Sequence, residues 1–215
     1  LALTINSVAP SAMAQACAML NIPLVHISSD YVFDGLGSRP FSPQDATAPQ
    51  NIYGQSKLGG EQGISESGCN YAILRTSWVF STHGSNFVKK ILQISQNCNE
   101  LNVIVDQVGG PTSAKAIAAA CLKIVNQMLV NPGKSGIYHI SGAPNVSWCD
   151  FAHVILMEAG RKVQVNGVLT CDYPTPASRP LNSRLDCSLT EQTFNLIRPN
   201  WCQDLATVIK KLEFY

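Results

Sequence analysis

Tyr53 and Lys57, four residues apart in YGQSK, are the side chains in this sequence best spaced to do chemistry. On a helix that spacing sets a phenol and an ammonium one turn apart on one face. A free tyrosine titrates at about 10, too high for easy proton exchange at neutral pH. A neighbouring positive charge favours the phenolate and lowers that value towards the working range. Ser29 ends the apolar run IPLVHISSD ahead of the pair and could set a second hydroxyl beside the same reacting oxygen. The three residues together describe a proton-transfer site for reducing or oxidising a carbonyl. Taken alone, Tyr-x-x-x-Lys is more often a partly buried tyrosine next to a solvated lysine, so the elements that carry the pair decide.

Those elements follow from the hydrophobic pattern. Leu1–Leu20 reads as a helix with one apolar face, and Leu24–Ile27 as a buried strand leading to Ser29. Asp34-Gly35, Gly37 and the prolines at 40, 43 and 49 make a loop, and the helix around Tyr53 runs to about Ser67, where Gly68 stops it. Asn70–Phe80 has the β-rich composition of one further buried strand. A helix from Ser85 or Asn86 to Cys98 follows, with Asn86 suited to cap it. Leu101–Asp106 is a short strand, DQVGGPT a turn, and Thr112 a cap for a helix whose stripe is Ile117, Cys121, Val125 and Leu129. Ile137–Ser141 is one more strand. Ser147 and Asp150 start a helix over Trp148–Ala159 by a capping box. Regularity is lost from Lys162 to Leu185, with prolines at 174, 176 and 180. Ser188 with Glu191 starts another helix, and Trp201, Leu205, Val208, Ile209 and Leu212 stripe the last one. The alternation of strands and helices predicts an α/β fold.

The bulk numbers narrow the function classes. A chain of 215 residues, 46% hydrophobic and 13% charged, can bury a real core. A net charge of +1 gives no reason to expect nucleic acid or a membrane surface as partner. The eight cysteines are scattered without any Cys-x-x-Cys or Cys/His cluster, which predicts no metal site and reduced thiols in a cytoplasmic protein.

SSDYVFDG, YGQSK, RTSWVF, DQVGGPT, YHISG and RPLNSRLD occur in this order across nearly the whole chain. In that order they resemble the extended short-chain dehydrogenase/reductase superfamily and, within it, the dTDP-4-dehydrorhamnose reductase family. The resemblance implies an NAD(P)-binding Rossmann-like doubly wound parallel sheet lacking its first strands, plus a smaller substrate-binding domain. Approximate boundaries are 1–83 and 112–141 for the nucleotide-binding part, and 84–111 and 142–215 for the substrate part. It implies NADPH or NADH as cofactor and a dTDP-sugar as substrate, whose C4 ketone is reduced to give dTDP-L-rhamnose; a homodimer is left open.

The same resemblance assigns roles. Tyr53 gives the proton, Lys57 lowers the phenol's pKa and binds the nicotinamide ribose, and Ser29 stands where the family usually has threonine. Ile27 lines the nicotinamide pocket. Asp30, Trp78 and Asn86 fall on the substrate side, and Arg179 and Arg184 would clamp an anionic group such as the sugar nucleotide's diphosphate. Strands of an open parallel sheet present ligand contacts at their carboxyl ends, where Ser29 and Trp78 both fall.

One expected feature has no counterpart. No Gly-x-Gly-x-x-Gly turn follows a strand into a helix, so the loop that holds a cofactor pyrophosphate is not in the sequence. Relative to the resembling family the sequence begins roughly 70–80 residues late, about half of such a fold. The expectation is then a fragment that binds nicotinamide cofactor weakly or not at all. Two rival readings share the motifs: a non-catalytic regulatory subunit resembling the methionine adenosyltransferase β subunit, and an inactive truncated reductase.

Overall fold

A computed structural model describes residues 1–173 and 178–212. A π-helical turn at Thr4–Val8 leads into helix α1 (Ala9–Leu20), and Asn21, in the left-handed conformation, turns the chain into strand β1 (Leu24–Ser29). Helix α2 (Ile52–Ser65) starts at Asn51, whose side chain accepts from the Gly54 amide. Strand β2 (Tyr71–Thr76) follows. The single strand expected over Asn70–Phe80 is broken: Trp78 takes φ +50°, and the chain resumes as the two-residue β3 (Val79–Phe80). Positive φ is uncommon for a residue of this bulk, so the break is imposed by its surroundings.

Helix α3 (Phe87–Ile94) is capped by Asn86 and ends short of the expected Cys98. Strand β4 (Glu100–Ile104) precedes two short segments, β5 (Val108–Gly109) and β6 (Thr112–Ser113). Ser113, one residue after the expected Thr112, caps α4 (Ala114–Val130) by accepting from the Ala116 amide. Then come β7 (Gly136–His139), β8 (Val146–Ser147) and α5 (Trp148–Glu158), which begins with the expected capping box.

The span from Lys162, expected to be irregular, contains β9 (Gln164–Val168), which pairs with β4 in parallel over all five residues, and the short β10 (Asn182–Ser183). Pro174 and Pro176 lie outside the described residues. Helix α6 (Ser188–Phe194) has Cys187 at its N-cap. Ser188 does not cap it, because its hydroxyl and amide are both committed to Asp186. Helix α7 (Trp201–Leu212) closes the described chain. No described helix is long and apolar enough to cross a membrane.

The central sheet has the order β1-β2-β7, all parallel, with Leu24 opposite Tyr71 and Leu74 opposite Tyr138. Its period-2 alternation splits the core between two faces. Ile73 packs with Ala14 of α1 and Ile64 of α2, while Ala72 and Leu74 pack with Ile124 and Met128 of α4 and Phe194 of α6. Helices on both faces make the doubly wound α/β arrangement. A separate core joins α3, α5, α7 and the β4–β9 pair around Phe151, Ile155, Trp201 and Leu205, all buried. Fully burying a side chain of this size contributes about 1.5–3 kcal/mol.

Helix α2 carries glycines at 59, 60 and 63, each costing about 1 kcal/mol in helix propensity against alanine. Their use is close approach. A Cβ on Gly60 would collide with the Asn6 carbonyl of the π-helical turn, and one on Gly63 with Ser11. This contact seats α2 tightly enough for its other face to meet the ends of β1 and β2.

Candidate active site

Beyond the carboxyl ends of β1 and β2 lies a cavity of about 820 Å³, at the place where open parallel sheets present ligand sites. Ser29, Asp30, Tyr53, Lys57 and Trp78 all line it, and Ile27 forms part of its wall. These six expected residues are therefore brought together.

The first turn of α2 holds Tyr53 over the cavity, with its ring edge-on to Tyr31 at 5.5 Å between centroids. The side chain is about half exposed, at 49%. Burial pushes the phenol above its usual pKa, the Ser29 hydroxyl pulls it back, and Asp30 adds to the rise. The expected lowering by Lys57 is not found. The Lys57 ammonium turns instead to the Ile27 carbonyl, to which its Nζ donates at 2.5 Å, with His26 Nε2 3.4 Å away. Lys57 is itself held below the usual lysine range by burial, with Glu61 opposing that shift. Its neighbour His26 falls to about 4, through burial and then the Lys57 charge.

Asp30 is buried where β1 ends. Its Oδ1 accepts from Ser29 Oγ at 3.0 Å, and among the described residues its Oδ2 has no hydrogen-bond partner. Burial raises this carboxyl to about 6, against the pull of the Ser183 and Ser29 hydroxyls.

Trp78 stacks face to face on Trp148, with centroids 3.5 Å apart and planes 9° apart. Trp148 is the first residue of α5 and is absent from the residues expected at the site. The available signal was its place directly after the cap residue Ser147, where a helix begins at a cleft. Tyr31, inside SSDYVFDG, is a second lining residue that the sequence reading missed. Trp148 borders a second cavity of about 890 Å³, whose wall includes Phe87, Ile104, Gln107, Tyr173 and Arg179.

Arg179 thus faces the second cavity. Arg184 donates from Nη1 to Asn182 Oδ1 at 3.0 Å, bracing its own strand end. Asn86 accepts from the Lys89 amide and donates to the Ser81 carbonyl, so both ends of its amide serve the start of α3. Neither Asn86 nor Arg184 is among the residues lining the cavity around Tyr53.

Residues 1–214 match the family described as RmlD substrate binding domain. A dTDP-4-dehydrorhamnose reductase of Sinorhizobium fredii is 43% identical over 206 residues, covering 93% of this chain and 70% of that one. The chain belongs to the dTDP-4-dehydrorhamnose reductase family. Solved members superimpose closely. A dTDP-4-dehydrorhamnose reductase from Clostridium acetobutylicum is 35% identical with a TM-score of 0.90, covering 97% of this chain and 72% of its own. One from Bacillus anthracis, solved in complex with NADP, is 31% identical with a TM-score of 0.86, covering 96% and 72%.

Proposed function

We propose that this protein reduces the C4 ketone of dTDP-4-dehydro-6-deoxy-L-mannose to dTDP-L-rhamnose, using NADPH or NADH. The observation that carries the reading is the convergence of Tyr53, Lys57 and Ser29 on one cavity at the carboxyl ends of parallel strands, in a chain of this family. The described residues fit the nicotinamide end of the cofactor. Ile27 offers an apolar wall, Lys57 an ammonium within the same cavity, and the strand ends an open approach. For the pyrophosphate the sequence offers no glycine-rich turn. When bound, a reduced nicotinamide supplies the hydride.

Tyr53 holds the proton. Its raised pKa keeps the phenol protonated at neutral pH, which suits a donor that must give its proton as the C4 oxygen becomes an alkoxide. The Ser29 hydroxyl, which donates to Asp30 Oδ1 in the free site, would turn to donate to the same oxygen and stabilise the charge developing there. Lys57, in the same cavity as Tyr53, would hold the nicotinamide ribose and favour the phenolate that Tyr53 leaves behind. Asp30 lies in the cavity wall on the side of the sugar. Trp78 offers its edge to the sugar ring, its face being covered by Trp148.

In the second cavity, Arg179 faces the diphosphate of the sugar nucleotide and Phe87 and Tyr173 flank its base. On this reading residues 1–83 and 112–141 serve the cofactor, and 84–111 and 142–215 serve the substrate. Free thiols at all eight cysteines suit a reducing cytoplasm.

The test is to incubate the protein, expressed from its own gene, with the dTDP-4-ketosugar and NADPH or NADH, and to identify the product by mass spectrometry. Formation of dTDP-L-rhamnose with matching oxidation of the nicotinamide supports the reading. No product with either cofactor, under conditions where the protein is folded, refutes it.

A further inference from the structure

Behind the catalytic face of α2 sits a buried ion pair that the reaction itself does not use. Arg75 of β2 and Glu61 of α2 are 3% and 2% exposed. Arg75 Nη2 donates to Glu61 Oε2 at 2.6 Å and Nε donates to Oε1 at 3.0 Å, the two-pronged geometry of a strong guanidinium–carboxylate pair. Ser28 Oγ of β1 donates to the same Oε1 at 2.5 Å. The guanidinium lies over the Phe33 ring, 4.9 Å from its centroid, and reaches towards the Pro43 carbonyl.

The positions of these three residues matter more than the pair itself. Ser28 precedes Ser29, Arg75 precedes Thr76, and Glu61 lies one helical turn beyond Lys57 on α2. One carboxylate therefore ties both strand ends to the helix that presents Tyr53 and Lys57. Opposite this tie, α2 is seated on Asn6, Ser7 and Ser11 through its glycines, none of them ionisable. The ionisable groups next to Lys57 are His26 from β1 and Glu61 from α2 itself, and Asp30, Tyr31 and Tyr53 line the cavity it shares.

We infer that Glu61 is a positioning residue of the active site: locked by Arg75 and Ser28, it fixes α2 against the ends of β1 and β2 and keeps a negative charge one helical turn from Lys57. A pure brace would need only the geometry, and an apolar pair of similar volume could provide it, often at no cost in stability. The charge is the part such a substitute lacks. Glu61 opposes the burial that drives Lys57 towards its neutral form, whereas Lys57 must stay an ammonium to sit beside a phenolate and a ribose. The role of that ammonium rests on the reductase reading; the coupling of Glu61 to Lys57 does not.

The experiment measures the pH dependence of Lys57 acetylation by acetic anhydride, read by peptide mass spectrometry, in the wild type, in Glu61→Gln, and in the double variant Glu61→Leu, Arg75→Met. Glu61→Gln leaves a buried guanidinium without its counter-ion and is the variant at risk of unfolding; the double variant leaves no unpaired buried charge. In whichever variant keeps the wild-type circular dichroism, the midpoint of Lys57 acetylation is expected at lower pH than in the wild type. Glu61→Asp, which keeps the charge, is expected to restore part of the difference. An unchanged midpoint in a folded variant overturns the inference. Turnover, measured in parallel, separates the two claims. A shifted midpoint in a protein whose wild type never reduces the ketosugar leaves the coupling standing and removes the reductase reading.

Discussion

Trp78 and Trp148 stack face to face with ring centroids 3.5 Å apart, although one follows a strand of the central sheet and the other opens α5. Phe87, at the head of α3, leans on Trp148 from a centroid distance of 4.5 Å. The stack is thus a point of contact between the sheet and the helical part, and it stands where the two cavities meet. It also accounts for the broken strand. The left-handed backbone at Trp78 lays the indole across Gly109, where a Cβ would stand 2.8 Å from indole Cε2.

Aromatic pairs of this kind are worth about 0.5–1.5 kcal/mol beyond the area they bury. Trp148→Ala is therefore expected to weaken binding of the dTDP-sugar by about 2- to 10-fold, with Trp148→Phe retaining most of the affinity. Calorimetric titration with dTDP-L-rhamnose checks this. Equal affinities for wild type and Trp148→Ala would show that Trp148 does not organise the site.

The Asp30 carboxyl, raised to about 6, makes a signed prediction. Between its ordinary value of 3.8 and about 6 the folded protein holds a proton that the unfolded chain has released. Its favourable contribution is then complete below the ordinary value and is lost as pH rises through about 6. A rise of this size corresponds to about 3 kcal/mol. Urea unfolding across this range should show wild-type stability falling relative to Asp30→Asn by about that order. Parallel curves would mean that Asp30 titrates as an ordinary carboxylate.

His139 acts with the opposite sign. Burial, followed by the Arg75 charge, pushes its imidazole down to about 3, so the folded state keeps it neutral. Its contribution is complete above 6.5 and is lost as pH falls through that value towards about 3. His139→Phe, which preserves a ring against Phe33, is expected to lose less stability than the wild type over the same fall in pH. A variant as acid-sensitive as the wild type would contradict this.

Gly60→Ala should destabilise the fold by about 1–3 kcal/mol in spite of alanine's better helix propensity. The new methyl meets the Asn6 carbonyl, a backbone atom that cannot rotate aside. Equilibrium denaturation checks the sign, and a variant of equal or greater stability would show that the π-helical turn yields freely.

What was legible in the sequence was mostly local. Strand β1, the loop after it and helix α2 follow from patterns of period 2 and 3.6 with glycine and proline punctuation. Ser29, Tyr53 and Lys57 could therefore be placed together in advance. The Ser147–Asp150 capping box is equally local. Strand β9 was hidden, because QVNGV carries Asn166 and Gly167 and becomes a strand by pairing along β4, which is distant in sequence. The Trp78–Trp148 stack and the Glu61–Arg75 pair are likewise long-range contacts that periodicity does not encode. The direction of the Tyr53 shift went the other way from expectation for a related reason. Spacing sets Lys57 on the same helix face, but the Ile27 carbonyl and His26, across on β1, decide where its ammonium points.

The central claim is that Tyr53 is the proton donor to a ketone bound over β1, and Tyr53→Phe tests it most directly. The variant removes one oxygen from a half-exposed ring, so circular dichroism and thermal midpoint should match the wild type. Single-turnover reduction of the dTDP-4-ketosugar should fall by about 10²- to 10⁴-fold, with affinity for dTDP-L-rhamnose little changed. Wild-type turnover in Tyr53→Phe would contradict the account and move the proton's source to another group.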